Sequence, residues 1–301
     1  MSMPMETITS KIQDSGFRIQ DSTDENRILA ENGFFWRENG GVKVLVCRSL
    51  EENGFVNGFS TRIGGVSAFP KNDLNLAGFG EDSEENISEN RRRFLNVFGD
   101  DYRLTTVWQV HGDAVKIVKN DEDIENTEER CDALASNLQR ILIGVKTADC
   151  VPVLLGEAKT GAFAAIHAGW RGTVESIVVK TVEKMRENFG TAACDLICAI
   201  GPAATCRNYE VGADVIEAFS EKFPASKNLF AETKPGHALI DLHRANREQL
   251  LNVGTSEENI FTAPLCTMER TDLFFSYRKE KNLYGKTGRL LSVIGRIQEK
   301  E

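Results

Sequence analysis

The chain has 301 residues, enough for one large hydrophobic core or two smaller ones, and its hydrophobic fraction of 41% is ordinary for a globular protein. It has 36 Lys and Arg against 45 Asp and Glu, a formal net charge of −9. This balance excludes a general binder of the nucleic-acid backbone, but a local arginine cluster can still hold a small anion. No run of 18 apolar residues occurs, so the sequence predicts neither a membrane-spanning helix nor a membrane partner.

The N-terminal part of the chain differs in composition from the rest. Residues 1–40 are mostly polar and include a short repeat, residues 11–15 and 18–22, that is too brief for a coiled coil. We expect residues 1–40 to form a flexible or loosely docked extension, followed by a single folded domain over residues 41–301.

The N-terminal sequence also bears on the location of the protein. It lacks the apolar stretch of a secretory signal, and the seven cysteines are odd in number and widely scattered. These features predict reduced thiols and a cytoplasmic location.

Apolar periodicity and turn residues predict the elements of the folded part in chain order. The predicted strands are residues 42–47, 55–61, 105–110, 114–118, 141–145, 151–155, 162–166, 196–200 and 290–295. The predicted helices are residues 83–98, 173–189, 213–223 and 242–251. Strands and helices alternate without a regular βαβ rhythm, which predicts a single α+β domain with mixed β-sheets flanked by helices.

Three residues stand out as candidates for chemistry. His111 and His167 lie in glycine-flanked junctions at strand ends, and Cys150 lies in a third junction between two apolar strands. Each also has an ordinary structural interpretation, because such a histidine often bonds backbone in a turn and such a cysteine often packs as a small hydrophobe. Their spacing matches no compact zinc signature, so the residues alone leave both interpretations open.

A series of short motifs gives a more specific indication. In chain order they are FSTR (59–62), GGVS (64–67), QVHG (109–112), DAL (132–134), TADCVP (147–152), HAGWRG (167–172), IGP (200–202), YEV (209–211), FSYR (275–278) and TGR (287–289). With these motifs the chain closely resembles the laccase-domain (multicopper polyphenol oxidase) family over about residues 42–297.

The resemblance implies an activity, a fold and a metal site. Members of the family are regarded as purine nucleoside phosphorylases with adenosine deaminase side activity, and their fold is similar to that of a toxin deamidase. The resemblance thus implies that residues 41–301 are a catalytic domain that converts adenosine, inosine or S-methyl-5′-thioadenosine plus phosphate to the base and ribose 1-phosphate. It also implies that His111, Cys150 and His167 bind zinc, with copper compatible as well. Two imidazoles and one thiolate leave a tetrahedral metal one open position, as in catalytic sites.

Further residues in the motifs are candidates for substrate binding and proton handling. Asp132 and Asp149 are candidate catalytic residues that could orient an imidazole or carry a proton. Arg171 is a candidate for both catalysis and phosphate binding. Arg62, Arg278 and Arg289 are the remaining candidates for phosphate binding, and each of the four arginines has the alternative of tying a loop to a carboxylate.

Three other functions compete with phosphorolysis. A copper-dependent polyphenol oxidase would need more histidine ligands than the four in the chain. A metal-free hydrolase could use a Cys150–His167 pair, and a non-enzymatic domain could hold a structural metal, although such sites usually have four protein ligands. The expected partners are a small-molecule nucleoside and phosphate, with no nucleic acid; the sequence does not specify the oligomeric state.

Overall fold

The computed structural model describes residues 22–69, 71–78, 81–99, 102–223 and 226–297. Its strands are Phe34–Asn39 (β1), Val42–Cys47 (β2), Phe55–Ser60 (β3), Arg103–Thr105 (β4), Val115–Val118 (β5), Ala133–Ser136 (β6), Ile141–Thr147 (β7), Val151–Glu157 (β8), Ala162–Ala168 (β9), Ile197–Ile200 (β10), Glu210–Gly212 (β11), Phe230–Lys234 (β12), His237–Ile240 (β13), Ile260–Thr262 (β14) and Leu290–Arg296 (β15). Its α-helices are Ser22–Glu31 (α1), Arg48–Glu52 (α2), Glu84–Leu95 (α3), Asp121–Glu125 (α4), Trp170–Val174 (α5), Ile177–Phe189 (α6), Ala213–Lys222 (α7), Leu242–Asn252 (α8) and Tyr277–Tyr284 (α9). None of the helices in these ranges is long and apolar enough to cross a membrane.

Two six-stranded sheets form the centre of the fold. Sheet A has the order β1-β2-β3-β15-β7-β4 and sheet B has the order β14-β10-β8-β9-β6-β5, while β11, β13 and β12 form a small third sheet. Most neighbours are antiparallel, but the edge strands β4, β14 and β5 each run parallel to their partner. The sheets are therefore mixed, and the predicted α+β class is confirmed.

The two large sheets pack face to face, with helices on both outer sides. Alternation along β7 shows this arrangement, because successive side chains of a strand point to opposite faces. Ile143 and Val145 lie in the core shared with sheet B, whereas Leu142 lies in a second core with Phe94 of α3. A third core joins the outer face of sheet B to α6 and α8. The layers are thus α3, sheet A, sheet B and the α6–α8 side.

Residues 22–39 form a helix and a strand. Within the predicted extension, α1 and β1 occupy residues 22–39, and β1 pairs along its full length with β2. Leu29 and Phe34 are buried in the main core. Residues 22–39 are therefore packed against the folded part, because two apolar side chains within polar sequence are enough to dock them. The repeat at residues 11–22 falls almost wholly outside the described residues.

Two predicted elements differ from the observed ones. The helix predicted for residues 173–189 is divided into α5 and α6, because Ser176 has a left-handed backbone with φ of 62°. The strand predicted for residues 105–110 ends at Thr105. Beyond it, the side chain of Gln109 bonds the main chain of Lys146 in both directions, at 2.7 Å each, and so replaces strand pairing.

Candidate metal centre

His111, Cys150 and His167 come together at one end of the two large sheets. Cys150 lies in the short turn that joins β7 to β8, and His167 is in β9, opposite Pro152 of β8. His111 follows the extended segment after β4. Because β8 and β9 are paired neighbours, the cysteine turn and the histidine lie at the same end of the sheet, and the residue 106–112 segment brings the third side chain.

The three side chains form a group that can hold a metal ion. One ligand atom from each lies within 4.8 Å of the other two, and within the described part of the chain no other group of three His, Cys, Asp or Glu does so. His111 is exposed, Cys150 is half-buried and His167 is buried. Solvent and small molecules therefore reach the centre from the His111 side.

Gly169 keeps the space beside the three ligands clear. A Cβ atom at this position would lie 3.2 Å from Cys150 Sγ and 3.2 Å from His111 Cδ2. Any larger residue would press on two of the three ligand side chains. The glycine of the HAGWRG motif is thus explained by close approach to the centre.

Asp132 orients the histidines from beneath. Its Oδ1 lies 2.7 Å from His167 Nδ1, which leaves Nε2 of that ring available for a metal ion. Its carboxylate also accepts the backbone N–H groups of Val110, His111 and Gly112. These bonds hold the pKa of Asp132 below its usual value although burial acts to raise it. Asp132 is completely buried, which favours a positioning role over direct contact with substrate.

Two residues of the centre have unusual backbone conformations. His111 has φ of 60°, and Asp149, which precedes Cys150, has φ of 86°. A non-glycine residue in this region costs on the order of 1–3 kcal/mol and persists only where its surroundings impose it. At His111 this backbone conformation is imposed by the hydrogen bonds that Asp132 accepts from residues 110–112. The cost indicates that the ligand positions are fixed by the fold.

Asp149, like Asp132, holds a ligand-bearing segment in place through hydrogen bonds to its buried carboxylate. Its carboxylate accepts hydrogen bonds from Thr267 Oγ1 at 2.7 Å, Ser276 Oγ at 3.0 Å and the backbone N–H of Arg278 at 2.7 Å. Burial raises its pKa, and these donors act against the rise. Asp149 therefore ties the Cys150 turn to the segment before α9. Both carboxylate oxygens of Asp149 accept these hydrogen bonds, which favours a positioning role for Asp149 over proton transfer.

The ligand side chains also shift each other's pKa values. Burial acts to raise the pKa of Cys150, but the charge of His167 and hydrogen bonds from both histidines outweigh it and lower the pKa to about 6. Burial acts to lower the pKa of His167, but the Cys150 charge and Asp132 raise it to about 9. The centre favours a thiolate, which is the form that binds metal.

The surroundings of Arg62 favour the alternative to phosphate binding, that it ties a loop to carboxylates. Its guanidinium forms buried ion pairs with Asp73 at 2.9 Å and Glu280 at 2.8 Å, and it also donates to the carbonyl of Thr271. Its face lies 4.5 Å from the ring centre of Phe275. With its charge compensated and its donors engaged, Arg62 joins three segments and has no capacity left for an anion.

The other predicted arginines have different surroundings. The Arg171 guanidinium is exposed and lies 4.3 Å from the ring centre of Trp170, and no described carboxylate forms an ion pair with it. Arg278 donates to the carbonyl of Glu210 and lies over the ring of Tyr209. Arg289 forms a half-exposed ion pair with Glu81 at 3.1 Å. Their roles in phosphate binding stay predictions.

Sequence reasoning missed several contributors to the centre. Tyr209 lies close enough to Cys150 that the thiolate charge, after burial, raises the tyrosine pKa to about 12. Thr267 and Ser276 hold Asp149. Tyr209 and Ser276 lie in the motifs YEV and FSYR, which were the available signal, whereas Thr267 lies in none of them.

The two remaining histidines lie elsewhere. His243, on α8, is buried and bonds the carbonyl of Gly201 at 3.1 Å, and His237, on β13, bonds the carbonyl of Pro235. Neither belongs to the metal-binding group. His243 therefore has a packing role and His237 a turn role.

Comparison with known proteins agrees with the motifs. Residues 56–297 match the family described as multi-copper polyphenol oxidoreductase laccase. A protein of Bacteroides thetaiotaomicron named purine nucleoside phosphorylase is 34% identical over 262 residues, which cover 84% of this chain and 96% of that protein. The purine nucleoside phosphorylase YfiH of Escherichia coli is 34% identical over 253 residues, covering 84% of this chain and 98% of that protein.

Solved structures have the same fold. YlmD from Geobacillus stearothermophilus superposes with a TM-score of 0.80 at 32% identity, covering 88% of this chain and 99% of that one. A Bacillus licheniformis protein, YfiH, gives a TM-score of 0.79 at 27% identity, covering 87% of this chain and 99% of that one. The resemblance inferred from the motifs is therefore confirmed over nearly the whole described chain.

Proposed function

The chain belongs to the multi-copper polyphenol oxidoreductase laccase family, and we propose that it is a metal-dependent purine nucleoside phosphorylase. The proposed reaction converts adenosine, inosine or S-methyl-5′-thioadenosine plus phosphate to the free base and ribose 1-phosphate. The observation that carries it is the His111–Cys150–His167 group, which opens to solvent in a chain whose relatives carry this name. As an enzyme of small molecules it needs no nucleic-acid or membrane partner.

The donor set fits a zinc ion. Two imidazole nitrogens and one thiolate are typical zinc ligands, and three protein ligands leave a position for a reactant. The Asp132 bond to His167 fixes the tautomer that a metal ligand needs. When bound, the metal would act as a Lewis acid at the solvent-accessible side of the three ligands. Nitrogen and sulfur ligands also accept copper, so we propose zinc as the native ion and copper as a substitute.

The protein's own residues contribute position and charge. In phosphorolysis a phosphate oxygen bonds to C1′ of the ribose, the bond from C1′ to the purine nitrogen breaks, and the purine takes up a proton. Asp132 and Asp149 hold the ligand loops so that the substrate meets a rigid surface. We propose that Arg171 and Arg278, whose guanidinium groups are exposed, bind substrate oxygens and offset their charge.

The test is product analysis on the purified full-length chain loaded with zinc. We expect hypoxanthine from inosine and adenine from adenosine only when phosphate is present, with equimolar ribose 1-phosphate, measured by chromatography. Removing the metal with a chelator should abolish release, and adding zinc back should restore it. No base from any of the three nucleosides would exclude the proposal.

We also propose adenosine deaminase as a side activity. Its assay is the appearance of inosine from adenosine in phosphate-free buffer, where phosphorolysis cannot proceed. Absence of inosine under conditions where phosphorolysis is active would remove this second activity and leave the first.

One structural observation favours a different candidate, a metal-free cysteine hydrolase. Cys150 and His167 form a thiolate–imidazolium pair, with the pKa of Cys150 lowered to about 6, as in cysteine nucleophiles. Metal removal separates the two candidates, because a hydrolase would keep its activity in a chelator and lose it to iodoacetamide. A copper polyphenol oxidase is less well supported, since His237 and His243 lie away from the centre.

A cytoplasmic location is part of the proposal. All seven cysteines are free in the structure, which suits a reducing compartment. Cell fractionation with an epitope-tagged chain would test it.

A further inference from the structure

Gln109 connects the segment that carries His111 to sheet A. Its Nε2 donates to the carbonyl of Lys146 at 2.7 Å, and its Oε1 accepts the backbone N–H of Lys146 at 2.7 Å. Strand β4 pairs with β7 only as far as Ile143, so the main-chain groups of β7 beyond that residue need other partners on this edge. The Gln109 side chain supplies both bonds at Lys146, as a paired strand would.

The same segment is bound to sheet B by Asp132. This residue directly precedes β6, and its carboxylate accepts the backbone N–H groups of residues 110–112. It also bonds the ring of His167 on β9. Both histidines are therefore held by one carboxylate, and their relative position is set from sheet B.

The position of His111 relative to Cys150 depends on a different connection. Cys150 lies in the turn between β7 of sheet A and β8 of sheet B, and Lys146 is four residues before it in the chain. Gln109 is two residues before His111. Because His111 is exposed, packing of its side chain does not fix it. The two bonds between Gln109 and Lys146 therefore form a short cross-link between the segments that carry these two ligands.

We propose that Gln109 is a positioning residue of the metal centre, whose two bonds to β7 fix the separation between His111 and Cys150. Asp132 fixes the separation between the two histidines. The role of Gln109 rests on the metal binding that the proposed function requires, but it does not depend on phosphorolysis. An imidazole and a thiolate bind one ion tightly only when both atoms are at bonding distance from it, so a support of the ligand segment affects metal affinity.

Asn57 provides a matched control in the same sheet. Its side chain bonds the main chain of Cys47 in the same two directions, at 2.8 and 3.0 Å, and extends the pairing of β2 with β3. Ile294 of β15 is opposite both Asn57 and Ile143, so this connection is level with the middle of β7 and two strands away from it. Asn57 and Gln109 thus make equivalent bonds, but only Gln109 adjoins a metal ligand.

The experiment compares Gln109→Met with Asn57→Leu in the full chain. Each substitution removes two hydrogen bonds to the main chain, so both metal-free variants should unfold at lower urea concentration than the parent. Gln109→Met should also weaken zinc binding about tenfold or more, measured by competition with a chelator, whereas Asn57→Leu should bind zinc as the parent does. Gln109→Glu retains an acceptor for the Lys146 N–H and should weaken zinc binding in the same direction, which provides the test if Gln109→Met does not fold.

A spectroscopic measurement reports the geometry of the centre itself. In the cobalt(II)-loaded protein, thiolate-to-metal charge transfer in the near ultraviolet reports the bond to Cys150, and the visible bands report the number and arrangement of ligands. Gln109→Met should change this spectrum, and Asn57→Leu should reproduce that of the parent.

The outcomes separate the positioning role from the proposed reaction. Parental zinc affinity and a parental cobalt spectrum in a folded Gln109→Met or Gln109→Glu variant would overturn the role of Gln109. An equal loss of zinc affinity in Asn57→Leu would also overturn it, as would a parent protein that binds no zinc. Zinc affinity that depends on Gln109, in a protein that releases no base, would retain the positioning role and reject phosphorolysis.

Discussion

Two polar clusters in this protein carry residues of the same series of motifs, yet they have opposite character. The first is the metal centre of His111, Cys150 and His167. The second, here termed the Arg62 cluster, consists of Arg62, Asp73 and Glu280. In the Arg62 cluster one guanidinium meets two carboxylates, and all three side chains are buried. In the metal centre, three electron-pair donors converge within 4.8 Å and one of them is exposed.

The difference shows how a charged motif residue can be assigned a role. Compensated, buried charge holds segments together and has nothing left for a ligand. Ligand atoms that converge, are held by buried hydrogen bonds and remain accessible to solvent can bind one more partner.

Replacing a metal ligand should have the largest effect on activity. His111→Ala removes an exposed ligand without disturbing the core, so the variant should fold and lose metal, with activity falling by more than about 100-fold. Zinc content by elemental analysis and the phosphorolysis rate test this prediction. His237→Ala is the matched control and should keep both. Full zinc occupancy in His111→Ala would contradict the proposed site.

Replacing Arg62 should affect stability instead. Arg62→Met leaves Asp73 and Glu280 buried without their counter-charge, so the free energy of unfolding should fall by about 3–5 kcal/mol. Urea unfolding measures the loss. Arg103→Met, which breaks an exposed pair with Asp121, should change stability little. If Arg62→Met were stable and had a raised KM for phosphate, the contrast between the two clusters would fail.

A smaller effect is expected at Asp132, which supports the metal centre from within the core. Asp132→Asn cannot hold both the His167 ring and the 110–112 backbone as the carboxylate does, so metal affinity should fall about 10- to 100-fold. Competition with a chromophoric chelator gives the affinity. Asp113→Asn alters an exposed carboxylate in the same loop and should leave it unchanged. An Asp132→Asn protein with parental affinity would refute the positioning role.

The smallest effect concerns the thiol of the metal-free protein. Because the pKa of Cys150 is lowered to about 6, its alkylation by iodoacetamide should rise as pH increases through about 6, where the thiolate forms. At pH 7 the rate should exceed that of an ordinary thiol only about fourfold, since a less basic thiolate is also a weaker nucleophile. Peptide mass spectrometry on chelator-treated protein follows Cys150. A midpoint near 9 would show that the histidines do not stabilise the thiolate.

The sequence predicted much of the local structure. A helix was expected over residues 83–98, and α3 begins at Glu84, directly after Ser83, whose hydroxyl accepts the N–H of Asn86. Apolar periodicity located the strands of both large sheets near their observed bounds, because burial on one face imposes a period that sequence displays. The three candidate metal ligands were identified through the motifs, and the comparisons confirm that the chain belongs to the family that these motifs indicated.

Only the tertiary structure decided which charged motif residues have buried partners. Arg62 and Glu280 are 218 residues apart in sequence, so no local sequence pattern predicts their ion pair. The docking of α1 and β1 likewise depends on segments distant in the chain. Periodicity and motifs specify local conformation and residue type, whereas the compensation of a buried charge depends on the partners that long-range packing brings to it.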